Sequence, residues 1–191
     1  MIEKEIEFKN LLTDKQYNLI FDKFDLGKTP TINNSNYYYD SAQEDLKNAN
    51  SALRIRHTRD KREITLKIKG EFENIEINVP LNKSSVPEEI SFTNLPTQIK
   101  QQLESRNIIF KTLTLIQKIE TIRKEKKINE NTLVLDKTKF SNNIIDYELE
   151  FEVKDYNSGK EKFESILKEL DIKSNPALPK IARAIKYNSK N

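Results

Sequence analysis

The stretch Ile145-Asp146-Tyr147-Glu148-Leu149-Glu150-Phe151-Glu152-Val153 decides the fold. Tyr147, Leu149, Phe151 and Val153 alternate with Asp146, Glu148, Glu150 and Glu152. Period two over nine residues is a β-strand with one apolar face and one charged face. The same alternation recurs through the chain. In Ile2–Lys9, Ile6 and Phe8 oppose Glu3, Glu5, Glu7 and Lys9. In Ala52–His57, Leu53, Ile55 and His57 oppose Arg54 and Arg56. Ile64, Leu66 and Ile68 oppose Thr65, Lys67 and Lys69, and Gly70 closes that hairpin. Ile75, Ile77 and Val79 oppose Glu76 and Asn78 before Pro80 stops the strand. Further strands are expected at Asn36–Asp40, from about Ile108 through Leu113–Ile116 and Ile119–Lys126, and at Thr132–Lys139.

Helical spacing appears in fewer places. Tyr17, Ile20, Phe21 and Phe24 mark a helix from Thr13 to Phe24, capped by Thr13 or Asp14 and ended by a polar turn over 27–34. Short helices are expected at Pro87–Glu89, at Thr97–Glu104 and after Pro179. Phe163, Ile166, Leu167 and Leu170 give an amphipathic helix over Gly159–Leu170. Strand, helix, several strands, a connector, then strands and helices make an antiparallel α+β protein of about eight strands. No low-complexity linker interrupts the 191 residues, so residues 1–191 read as a single domain.

Composition removes several chemistries. There is no Cys, so thiol nucleophiles, disulfides and thiolate zinc sites are excluded. One His makes a His-based metal centre or triad a poor fit, and three Gly leave no Gly-rich phosphate loop. No apolar run reaches the ~18 residues of a membrane span, and MIEKEIEFKN lacks a secretory core. The expectation is a cytoplasmic protein with no membrane partner. Net charge is only +3, which gives little support to a nucleic-acid partner.

What is informative is how the charges are sorted. Acids dominate the first strand and the 146–152 strand, whereas bases dominate the strands carrying Arg54, Arg56, Lys67 and Lys69. A face that merely meets solvent tends to mix signs, because like charges side by side repel. Arg is scarce, 7 against 26 Lys, yet Arg54, Arg56 and Arg123 fall within strands. Guanidinium is the better bidentate clamp for phosphate. If the sheet closes with its charged face inward, a basic wall suits a polyanion and clustered carboxylates suit a hard divalent cation.

At Glu5-Ile-Glu-Phe-Lys9 the sequence resembles the CYTH, or triphosphate tunnel metalloenzyme, superfamily, whose signature is Glu-x-Glu-x-Lys on the first strand. Leu53-Arg-Ile-Arg56, Leu66-Lys-Ile-Lys69, Arg123, Asp136, Asp146-Tyr-Glu-Leu-Glu150 and Lys180-Ile-Ala-Arg183 follow in the family's order. The likeness is to small single-domain bacterial members. It implies an eight-stranded antiparallel β-barrel forming an open tunnel, with flanking α-helices. It also implies Mg²⁺ or Mn²⁺ held by Glu5, Glu7, Glu148, Glu150 and Asp136. Arg54, Arg56, Lys67, Lys69, Arg123, Lys180 and Arg183 would hold phosphate oxygens. Lys9, with Glu5, Glu7 and Asp136, would serve catalysis by touching phosphate or orienting the attacking water.

The implied activity is hydrolysis of inorganic tripolyphosphate or of a nucleoside or thiamine triphosphate. The alternatives are a class IV adenylate cyclase and a non-catalytic polyphosphate- or nucleotide-binding module. The partner is a small triphosphate, and the protein a monomer or homodimer. Glu76 and Asn78 line the charged face with or without ligation, Glu3 and Glu152 extend the acidic rows towards the rim, and His57 packs on the apolar side. The Tyr37–Tyr39 run reads as strand packing, with room for one of these tyrosines to reach the tunnel.

Overall fold

The computed structural model describes residues 2–82, 85–140 and 143–189. Its strands are β1 (Ile2–Leu12), β2 (Thr31–Asp40), β3 (Ser51–His57), β4 (Arg62–Ile68), β5 (Asn74–Pro80), β6 (Glu89–Ser91), β7 (Thr112–Ile128), β8 (Asn131–Lys139) and β9 (Ile145–Val153). Its helices are α1 (Asp14–Lys23), α2 (Asp45–Asn48), α3 (Thr97–Glu104), α4 (Tyr156–Glu169) and α5 (Lys180–Asn188). The strands form one sheet in the order β2-β3-β4-β5-β1-β9-β8-β7-β6, and β2 also pairs with β7. This is the strand order of an eight-stranded antiparallel β-barrel with flanking helices, as expected, with β6 as a short ninth strand on β7.

The chain divides into two compact units, Met1–Lys4 with Ser35–Lys118, and Glu5–Asn34 with Ile119–Asn191. Each has its own apolar core. In the first, Leu53 and Ile55 of β3, Ile64, Leu66 and Ile68 of β4 and Ile77 of β5 pack with Ile99 and Leu103 of α3. In the second, Leu133 and Leu135 of β8 and Leu149, Phe151 and Val153 of β9 pack with Ile20 of α1 and with Phe163 and Leu167 of α4. The alternation in the sequence is therefore the alternation of faces. Every strand of this group spends one face on a core and turns its ionic face the other way.

Local chemistry fixes the ends. Thr13 caps α1 in a reciprocal box with Gln16, whose side chain accepts from the Thr13 N–H at 2.9 Å. Asp155 caps α4 by accepting from the Ser158 N–H at 2.9 Å. Asn129 takes a left-handed φ of 56° in the tight turn from β7 to β8, a conformation Asn tolerates.

Three expectations are corrected. The polar turn ends sooner, because a 3₁₀ turn at Leu26–Lys28 hands over to β2 at Thr31. Pro87–Glu89 is not helical; Glu89–Ser91 instead pairs with Thr112–Thr114 of β7. The strand expected from Ile108 starts at Thr112 and runs unbroken for 17 residues, and α2 was not anticipated. Among the described residues no helix is long and apolar enough to cross a membrane.

Gly159 lies inside α4 against β9, and a Cβ there would stand 2.5 Å from Val153 Cγ2. Gly159→Ala gains helix propensity but overpacks this seam, and overpacking is the larger effect. The variant is expected to lose about 1–3 kcal/mol, read as a lower urea midpoint, with its far-UV spectrum unchanged.

Candidate metal and phosphate site

The acidic face belongs to the second unit. Register places Glu148 beside Asp136 of β8, and Asp136 beside Arg123 of β7. One level away, Glu150 pairs with Lys9 of β1, and the next level holds Glu7 and Glu152. Asp136 and Glu148 are fully buried, and Glu150 nearly so. Carboxylate oxygens of these three lie within 4.8 Å of one another.

Four cations interleave with these acids. Arg123 donates to both Asp136 oxygens, from Nε at 2.8 Å and Nη2 at 2.7 Å, and from Nη2 to Glu150 Oε2 at 2.7 Å. Lys9 Nζ lies 2.9 Å from Glu7 Oε2 and 3.2 Å from Glu150 Oε1. Lys180, the first residue of α5, reaches Asp136 Oδ2 at 2.8 Å, Glu148 Oε1 at 2.8 Å and Glu150 Oε1 at 2.6 Å. One turn along α5, Arg183 pairs with Glu148 Oε2 through Nη1 and with Asp146 Oδ2 at 2.8 Å through Nε. Tyr187 donates to the same Asp146 oxygen at 3.1 Å.

The basic face belongs to the first unit. Cross-strand partners form levels: Asn36, Arg56 and Glu63; then Tyr38, Arg54, Thr65 and Asn78; then Ala52, Lys67 and Glu76. Arg56 Nε donates to Asn36 Oδ1 at 3.1 Å, and Thr65 Oγ1 to Asn78 Oδ1 at 2.7 Å. Glu76 sits 3.3 Å from Lys67 Nζ and 3.9 Å from Arg54 Nη2. Of the three consecutive tyrosines, Tyr38 is the one whose strand partner is Arg54. Tyr37 and Tyr39 pack on the apolar core, with the His57 ring edge-on to Tyr37 at 5.4 Å.

Proton affinities follow from burial set against these partners. Burial pushes Glu148 up to about 7, with Lys180 opposing and Glu150 reinforcing the shift. Burial acts upward on Glu150 too, but Lys180, Lys9 and Arg123 outweigh it and hold that carboxyl well below the usual range. Asp136 is likewise lowered, burial being overcome by Arg123 and Lys180. Lys9 and Arg123 are raised because their acidic partners outweigh burial. Burial also lifts Glu152 to about 7 despite Arg123, with Glu5 and Glu150 adding to the shift.

The donor set fits a hard divalent cation. Three carboxylates converge, oxygen being the ligand that Mg²⁺ and Mn²⁺ prefer, and neither thiolate nor imidazole is present. Glu148 Oε2, fully buried, is paired with the Arg183 guanidinium, so its two oxygens meet different cations, Arg183 at Oε2 and Lys180 at Oε1.

Of the site residues expected from sequence, Asp136, Glu148, Glu150, Lys9, Arg123, Lys180 and Arg183 are joined in one ionic network in the second unit. Glu7 joins through Lys9, whereas Glu5, half-buried on the same face of β1, stands outside the convergent triad. Arg54, Arg56 and Lys67 share the face of the first unit. Lys69 lies one residue beyond β4, exposed, its N–H donating to Asn50 O at 3.0 Å. Sequence reading did not single out Asp146 as the anchor of α5, nor Asn36 and Thr65 as partners on the basic face. Their strand parity was the available signal.

Comparison with known proteins places the sequence in a family. The model of the CYTH domain matches residues 3–185. The Bacillus subtilis (strain 168) protein named "Putative triphosphatase YjbK" is 32% identical over 181 residues, covering 95% of this chain and 94% of the relative. A solved structure described as a putative adenylate cyclase from Bacillus halodurans superposes with a TM-score of 0.83 at 27% identity, covering 95% of this chain and 97% of that one. The Hippeastrum protein HpAC1, described as a putative adenylyl cyclase with a dominant triphosphatase activity, gives 0.65 at 22% identity over 95% of each chain, a likeness of fold. The chain belongs to the CYTH family.

Glu76 supplies a test of the basic face. Burial raises its carboxyl, but Arg54, Lys67 and Arg56 outweigh that and bring it down to about 2 from an ordinary 4.5. A lowered folded-state value means its contribution to stability is complete above pH 4.5 and is lost as pH falls towards 2. The stability gap between the wild type and Glu76→Gln is therefore expected to narrow between pH 5 and pH 3 in urea titrations. A gap independent of pH would contradict the ion pairing.

Proposed function

We propose that this chain is a divalent-metal-dependent triphosphatase that hydrolyses inorganic tripolyphosphate or a related nucleoside or thiamine triphosphate. The observation that carries this reading is the buried convergence of Asp136, Glu148 and Glu150, with Lys9, Arg123 and Lys180 set among them. The name of the Bacillus subtilis relative supports the same reaction class. We take the active protein to be one CYTH domain over residues 1–191, cytoplasmic, as a monomer or homodimer.

In this reading Asp136, Glu148 and Glu150, with Glu5 and Glu7 of β1, hold Mg²⁺ or Mn²⁺. A bound ion supplies charge neutralisation and Lewis acidity. Arg54, Arg56, Lys67, Lys69, Arg123, Lys180 and Arg183 hold phosphate oxygens. Lys9, between Glu7 and Glu150, orients the attacking water. Phosphoryl transfer depends on positioning and charge neutralisation more than on a protein nucleophile, so a chain without Cys loses nothing.

The Bacillus halodurans likeness supports a second reading, in which the same groups turn ATP into cyclic AMP and pyrophosphate. One panel decides: phosphate release from tripolyphosphate, ATP, GTP and thiamine triphosphate, each with Mg²⁺, Mn²⁺ or excess EDTA. Metal-dependent release of phosphate is expected, with Glu150→Gln lowering it more than about 100-fold. Arg54→Ala should cost roughly 10- to 100-fold in kcat/KM, chiefly through KM, as for the loss of a charged hydrogen bond. Cyclic AMP as the main product would establish the cyclase reading. Binding of tripolyphosphate without turnover would leave a non-catalytic binding module. Full activity in EDTA would refute the metal.

A further inference from the structure

Among the described cations around the acid triad, Lys180 alone touches all three members. Its ammonium lies 2.8 Å from Asp136 Oδ2, 2.8 Å from Glu148 Oε1 and 2.6 Å from Glu150 Oε1. Lys9 touches only Glu150 of the three, and Arg123 lies along Asp136 and Glu150. The point where the carboxylates converge is thus already held by a cation. A divalent ion ligated by the same oxygens needs them at about 2.0–2.1 Å for Mg²⁺. Ammonium and metal cannot share that point, by size or by charge.

We infer that Lys180 is a resident counter-cation that competes with the divalent ion, and that metal loading hands its ammonium over to an anionic ligand. The inference rests on the metal-dependent reading above and deepens it. Two features suit Lys180 to this exchange. Its charge ends a flexible four-carbon stem, so it can leave without moving the backbone. The rest of α5 has an anchor outside the triad in Asp146, which pairs with Arg183 and accepts from Tyr187. The helix therefore stays docked while one side chain swings.

The exchange couples two ligands. With no metal bound, withdrawing Lys180 to meet a phosphate oxygen strips a cation from three buried carboxylates, a costly step. With metal bound, the ammonium has already been displaced. Metal and polyphosphate then strengthen each other's binding by the same factor.

Calorimetric titration with Mn²⁺ alone, at pH 8 and with no phosphate present, tests this in the wild type, Lys180→Met and Lys180→Gln. Removing the competitor is expected to tighten Mn²⁺ binding by about tenfold, within the usual range of coupling between two ligands. Equal or weaker binding in both variants, beside measurable binding in the wild type, overturns the inference and leaves the metal reading intact. No uptake by any of the three overturns the metal reading itself. A measurement on the unmodified sequence guards against misfolded variants. In reductive methylation mapped by mass spectrometry, Lys180 is expected to be several-fold more reactive with saturating Mn²⁺ than without it. Unchanged reactivity at saturation counts against displacement.

Discussion

Glu148 and Glu150 lie on the same face of one strand, both sealed from water, with Asp136 on the next strand beside them. Ionised carboxylates in such a place cost several kcal/mol each unless cations and hydrogen bonds compensate. The second unit is organised around that requirement. Arg123 enters from β7, Lys9 from β1, and Lys180 and Arg183 from α5. The docking of α5 is itself part of the compensation, since its polar contacts with the sheet run through these acids and Asp146.

Such a face is tolerable only because the opposite face is unambiguously apolar. Tyr147, Leu149, Phe151 and Val153 share a core with α1 and α4, and Leu53, Ile55, Ile64 and Leu66 do the same with α3. With a side-chain period of two, slipping either strand by one residue would drive its ionic row into that core. The register that places Asp136 beside both Glu148 and Arg123 is therefore enforced by the hydrophobic pattern on the far side. Site geometry and core packing are two readings of one alternation.

This explains what could be read from sequence. Strands with strict alternation, such as 145–153 and 51–57, were located to within a residue because burial on one face dictates their composition. The beginning of β2 was not, because Thr31-Ile-Asn-Asn carries no such contrast. Asn34 and Asn36 are buried on a polar face, where an amide is the inward residue. β6 has three residues and α2 four, too short for a periodicity to register. At the site, the charged residues of each strand were legible by parity. Their partnership was not, because Lys180 and Asp136 meet only through the docking of a helix 44 positions away. Resemblance to a family pointed to those residues, but the ionic network that joins them needed coordinates.

The minority charge on each face says most about how it works. Glu76 stands among Arg54, Arg56 and Lys67, and Lys9 and Arg123 stand among carboxylates. Neither face is left as an uncompensated field waiting for a ligand. An anion arriving at the basic face must compete with Glu76 for Lys67 and Arg54, just as a cation arriving at the acid triad must compete with Lys180. Binding free energy is then the difference between two ion-paired arrangements, much smaller than a count of contacts suggests. Affinity gained this way is modest for any single charge. It grows only for a ligand that satisfies several displaced partners at once. The internal salt bridges thus compensate each face on its own, and a simple ion that binds there must replace at least one of them.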